Sequence, residues 1–206
     1  KELVSFASSR TGILWVSGRV IPFIGTGTGK KFLKPTPSKR TAKYFSYEAE
    51  TQFRYLCIDN FVRAAGVFFR RDAIENGFDE TYRILEDYPT WLKLTQAGHP
   101  VRLLEKTVAY WRRHTSSTSI SAFEDKNRQY FKDNLLAIQT LINPNIDRTD
   151  RFVIRVVKLK VEYITKEFEK SIDGKSFRSA SKLNRLRKKI DLLMLYDFLR
   201  NFMRKK

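Results

Sequence analysis

Ile84-Leu85-Glu86-Asp87-Tyr88-Pro89-Thr90-Trp91-Leu92-Lys93-Leu94 decides how this chain is read. Two adjacent carboxylates stand ahead of Trp91, Leu92 and Leu94, which supply the apolar stripe of an amphipathic helix over residues 87–97. Pro89 falls in the first turn, where a missing N–H costs no hydrogen bond, and Gly98 closes the helix. Glu86 and Asp87 therefore sit at a helix mouth. The unpaired N–H groups and the dipole there favour an ionised carboxylate, which suits a general base. The same pattern also serves as an acidic helix cap without chemistry.

Working outward, residues 101–111 read as a strand that leads into Tyr110-Trp111-Arg112-Arg113-His114-Thr115-Ser116-Ser117. Upstream, a short helix over 1–8 precedes a strand over 13–22, a Gly/Pro/Lys loop to residue 40, and a helix over 47–59. A buried strand over 60–70 and a helical turn over 72–77 follow. Gly25-Thr26-Gly27-Thr28-Gly29-Lys30-Lys31 superficially suggests a phosphate loop, but Ile24 and Lys31 stand where that motif requires Gly and Ser/Thr. It reads as a hairpin or crossover loop. Trp91 reads as core, and His99 as part of a helix terminus.

The 206 residues, 42% hydrophobic and 14% aromatic, have a globular composition and are enough to bury a core. The single Cys57, between Leu56 and Ile58, reads as a buried apolar residue and fits a reducing compartment. No uncharged apolar run approaches the roughly 20 residues that span a bilayer, and no signal peptide is visible.

The net charge of +18 is unevenly spread: residues 151–206 hold 17 Lys/Arg against 6 Asp/Glu, and residues 1–150 hold 23 against 16. That tail reads as two helices, over 151–171 and 181–204, around an Asp173-Gly174-Lys175-Ser176 turn. A helical stretch over 123–142 and the Asn143-Pro144-Asn145 break precede it. Basic amphipathic helices attract an anionic membrane surface, and a packed helical hairpin with a solvated basic face has the same pattern. Nucleic acid is the other anionic partner such a charge allows, although no zinc spacing, RNA-recognition aromatic signature or helix-turn-helix is legible.

Ala64-Ala65-Gly66-Val67-Phe68-Phe69-Arg70-Arg71, then Asn76-Gly77-Phe78-Asp79-Glu80, then Leu85-Glu86-Asp87-Tyr88, then Tyr110-Trp111-Arg112-Arg113-His114-Thr115-Ser116-Ser117 occur in this order over about fifty residues. Together they resemble the acceptor half of bacterial family 2 glycosyltransferases. The resemblance spans residues 1–120 and implies an α/β fold: a partial GT-A (Rossmann-like) mixed sheet with flanking helices. Residues 121–206 then form a basic, helical C-terminal extension.

The resemblance implies an inverting transfer of sugar from a nucleoside-diphosphate sugar to a saccharide or lipid-linked acceptor in cell-surface polysaccharide synthesis. Asp87 matches the family's base, with Glu86 orienting the loop or the acceptor. Gly66 would let substrate approach the backbone, and Arg112 and His114 would steady the leaving diphosphate, with His114 near the metal. The family's divalent cation, Mg or Mn, is held mainly by an Asp-x-Asp motif in a nucleotide-binding half. No such pair occurs ahead of residue 50, so the expectation is a segment beginning just after that motif and weakly active or inert alone. The Gln-x-x-Arg-Trp motif of processive synthases is absent, which implies single-sugar transfer. The implied location is cytoplasmic, peripheral on the inner membrane face. The alternative is a non-enzymatic basic module for nucleic acid or anionic membrane.

Overall fold

The structure is a computed structural model that describes residues 2–9, 12–74, 77–82, 84–113, 133, 136–137, 155 and 157–162. The chain divides into two compact units, residues 1–122 and 123–206.

In the first unit the elements are α1 (Glu2–Ser8), β1 (Trp15–Ile24), β2 (Lys31–Phe32), α2 (Lys39–Ala42), α3 (Ala49–Ile58), β3 (Val67–Phe69), α4 (Asp87–Gln96) and β4 (Arg102–Arg112). The β1 strand organises the sheet. On one side it pairs antiparallel with β3 at Trp15–Ser17 and with β2 at Phe23 and Ile24. An isolated antiparallel bridge from Val20 to Thr36 lies between those two pairings along the strand. Its other edge pairs in parallel with β4, from Val16 opposite Arg102 to Phe23 opposite Arg112. The chain is thus mixed α/β with a mixed four-stranded sheet and flanking helices.

The parallel ladder slips twice, between Gly18 and Arg19 and between Arg19 and Val20, so that β4 carries extra residues there. Gly18 accommodates the irregularity, because a Cβ at that position would stand 2.4 Å from Val108 Cγ1. Arg19 answers the bulge with a 2.8 Å ion pair to Glu105.

The core forms where α3 and α4 pack on β1. Trp15, Val16, Leu56, Val62, Tyr88, Trp91, Leu92 and Val101 are fully buried. Trp15 and Trp91 stack with centroids 4.9 Å apart and planes 15° from parallel. The Trp15 indole N–H donates to the His99 carbonyl at 2.8 Å, while the His99 N–H donates to Leu94 O at 3.0 Å. Gly98, at φ +89°, makes that helix stop possible. His99 thus serves the helix end through its backbone.

Gln52 is fully buried and fastens α3 to the start of β4. Its Nε2 donates to Tyr44 O at 3.0 Å and to Val101 O at 2.9 Å, and its Oε1 accepts from the Val101 N–H at 2.8 Å. The Tyr88 hydroxyl donates to Leu56 O at 2.6 Å, so the C-terminal end of α3 meets the N-terminal end of α4.

The strand expected over 60–70 is confined to Val67–Phe69. Asn60 Oδ1 accepts from the Val62 N–H at 3.2 Å, and a 3-10 turn follows at Ala64–Gly66, so local bonds replace ladder bonds. The Gly/Lys loop is the β1–β2 hairpin, with Ile24 opposite Lys31, and the following loop already turns helical at Lys39. Cys57 is buried in α3.

In the second unit Asp133, Leu136, Ala137, Arg155 and residues 157–162 are helical, within the helices expected over 123–142 and 151–171. The remainder of those helices, the helix expected over 181–204 and His114 lie outside the described residues. Among the described residues no helix is long and apolar enough to cross a membrane.

Candidate active site

Asp87 is the first residue of α4 and Glu86 is the residue before it, so both acids do stand at a helix mouth. Glu86 is exposed, has helical backbone angles and makes no capping bond through its side chain. Asp87 is half-buried. Its Oδ2 accepts a 3.3 Å hydrogen bond from the Trp91 indole N–H one turn along the helix. The Asn60 side chain also bonds the carboxylate, and the Arg63 guanidinium adds a weaker favourable charge. Asn60 and Arg63 arrive from the segment after α3, placed there by the Tyr88–Leu56 bond.

The helix terminus favours the ionised carboxylate, but lost hydration, reinforced by the neighbouring Glu86 charge, pushes the Asp87 carboxyl up from 3.8 to about 6, against the opposing bonds from Trp91 and Asn60. Burial outweighs the donors. A carboxylate of this kind is still mostly ionised near neutral pH, yet is a stronger base than an exposed aspartate.

The Trp91 ring is fully buried and touches Trp15, Phe69 and Phe78, with centroids 4.9, 6.3 and 6.1 Å away. Trp91 is therefore core, as expected, but its N–H is aimed at Asp87. Asn60, Arg63 and this indole N–H are the partners that sequence reasoning missed. The available signal was the polar Asp59-Asn60 pair interrupting the apolar run from Leu56 to Val62.

Gly66 is buried beneath β1: a Cβ there would lie 2.8 Å from Gly18 O and 2.7 Å from Val20 Cγ2. The close approach that requires a glycine is thus made by this chain's own backbone. Arg112 is exposed at the end of β4, opposite Phe23, eight residues along β1 from the Trp15–Trp91 stack. No hydrogen bond or ion pair among the described residues joins it to Glu86 or Asp87. Among the described residues no group of three His, Cys, Asp or Glu is placed to hold a metal ion.

A cavity of about 550 Å³ adjoins the other end of α4, lined by Leu14, Asp72, Asp79, Thr90, Lys93 and His99 among others. Asp87 is not among its lining residues, and both cavity carboxylates are already engaged. Asp72 is ion-paired with Arg70, and Asp79 Oδ1 accepts from the Thr81 hydroxyl at 2.6 Å. Compared with known protein families, curated proteins and solved structures, the chain has no match.

Proposed function

We propose that this chain is the acceptor-side part of an inverting glycosyltransferase, with Asp87 as its general base. In that reaction an acceptor hydroxyl attacks the anomeric carbon of a nucleoside-diphosphate sugar. Its proton passes to the Asp87 carboxylate, the new C–O bond forms with inversion, and the bond to the diphosphate breaks. The proton must leave as the bond forms, because the hydroxyl is a poor nucleophile while protonated. Glu86 keeps a second negative charge beside the base, and Asn60 and Trp91 fix its orientation. Arg112 and His114 are assigned to the leaving diphosphate. The acceptor is a saccharide or lipid-linked saccharide of the cell envelope, met at the inner membrane face.

The observation that carries this reading is a single one. Asp87 is half-buried, hydrogen-bonded from its own helix and from the segment after α3, and raised to about 6, whereas a carboxylate that merely caps a helix is exposed and lowered. The test is nucleoside-diphosphate release from UDP-, GDP- and dTDP-sugars by the polypeptide in its full reading frame, with a membrane extract as acceptor. Asp87→Asn is expected to lower kcat by about a hundredfold or more, with the far-UV circular dichroism unchanged. Transfer by Asp87→Asn within a few-fold of the parent would remove Asp87 from this role.

A further inference from the structure

The end of the β1–β2 hairpin presents a feature that the Asp87 chemistry does not use. Three large apolar side chains are exposed there: Ile24 at 42%, Phe32 at 56% and Tyr110 at 61%. Phe32 and Tyr110 form one cluster with Phe23, whereas Ile24, one residue along β1, alternates to the opposite face of the strand. Phe32 packs edge-on against Tyr110 with centroids 5.7 Å apart and tilts against Phe23 at 5.9 Å. Phe32 belongs to a two-residue edge strand, a place where folded chains ordinarily avoid an exposed aromatic because it invites association.

The surroundings of the cluster are uniformly cationic. Lys30, Lys31 and Lys34 are all exposed around it, and the Lys30 ammonium lies 5.6 Å from the Phe23 ring centroid. Residues 3–47 contain eight Lys/Arg and no Asp or Glu. We propose that this hairpin end docks on an anionic bilayer, with Phe32 and Tyr110 entering the headgroup region and the surrounding Lys side chains holding lipid phosphates.

Charge complementarity selects an anionic partner, and the shape of the cluster selects a lipid surface. Binding of a nucleic-acid strand uses free, flat ring faces on which bases stack. Here the rings meet one another tilted or edge to face, and Lys30 covers Phe23. An apolar knob ringed by lysines is instead matched to an interface: the knob leaves water, while the lysine stems lie along it and their ammonium groups stay at phosphate level. The proposal stands independently of the basic C-terminal helices and of the transferase reading.

The test uses the full chain. Cys57 is buried, so Thr28→Cys introduces a reactive thiol within the hairpin turn without altering the apolar cluster. With an environment-sensitive NBD label at that thiol, vesicles of phosphatidylcholine and phosphatidylglycerol are expected to shift the emission to the blue, and phosphatidylcholine alone is not. Phe32→Ser combined with Tyr110→Ser is expected to lower the partition constant roughly tenfold while the urea midpoint stays close to the parent's. Replacing Lys30, Lys31 and Lys34 by Gln is expected to weaken binding and flatten its salt dependence. A label that stays in water while the chain sediments with vesicles would overturn the proposal, as would double-serine binding equal to the parent. A label response to a single-stranded oligonucleotide but not to vesicles would assign the surface to nucleic acid, and concentration-dependent dimerisation through Phe32 would assign it to a second copy.

Discussion

Replacing the carboxylate by an amide in Asp87→Asn should make the fold more stable while removing the base, and the size of that effect follows from the site. The Asp87 carboxyl titrates at 3.8 when unfolded and at about 6 in the fold. Below pH 3.8 it is protonated in both states, and the fold has the full benefit of the neutral group. As pH rises through about 6 that benefit is lost, because the unfolded chain releases the proton more readily. The raised value is worth about 3 kcal/mol at 1.36 kcal/mol per unit, and the partial exposure of residue 87 reduces the expectation to about 2 kcal/mol. Asparagine has nearly the same shape and keeps an oxygen for the Trp91 N–H, so little else changes. Urea unfolding of both proteins at about pH 8 should show Asp87→Asn more stable by about 2 kcal/mol, and the gap should close at about pH 3.5. An Asp87→Asn protein less stable than the parent at the higher pH, or a gap of equal size at both, would refute the argument that desolvation controls this carboxylate.

Gln52→Leu fills the same space but leaves the Val101 N–H and the Tyr44 and Val101 carbonyls without their buried partner, so a loss of about 3–5 kcal/mol is expected in urea unfolding. A loss below about 1 kcal/mol would mean that water or a shifted backbone replaces those bonds. Gly66→Ala drives a methyl into the Gly18 carbonyl and should cost about 2–3 kcal/mol, read as a lowered thermal midpoint. In the same assay Gly29→Ala, where no atom lies within 4 Å of the added methyl, should stay within about 0.5 kcal/mol of the parent.

Much of the first unit was legible because its signals are local. The spacing of Trp91, Leu92 and Leu94 and the Gly98 stop fix α4 to within a residue at its C-terminal end, since periodicity and a positive-φ glycine act over one turn. The strand over 13–22 also stands, shifted by two residues to Trp15–Ile24. The parallel pairing of β1 with β4 was not legible. It joins residues more than eighty positions apart, and nothing local encodes that partner or its two slips. The stretch over 60–70 misled because its apolar and β-branched content fits a strand equally well, whereas the Asn60 side chain diverts the backbone into turns. At the site the positions of Glu86 and Asp87 were readable, but the environment of Asp87 was not, because Asn60 and Arg63 approach it from another element.

Three aspartates in this unit show why that environment matters more than the motif. Asp72 and Asp79 are both held below their ordinary range, the first by its bond to Arg70 and the second by the Thr81 hydroxyl. Each partner lies two residues away, and each arrangement stabilises its own turn. Asp87 has the opposite displacement, although it occupies the end of α4, where the N–H groups and dipole should lower it as well. The fold therefore half-buries this carboxylate at a cost to its own stability and supplies it with a neutral donor, the Trp91 indole, that orients without abolishing its basicity. In the proposed role of proton acceptor, the carboxylate would gain from that arrangement both a fixed direction and a pKa close to its working pH.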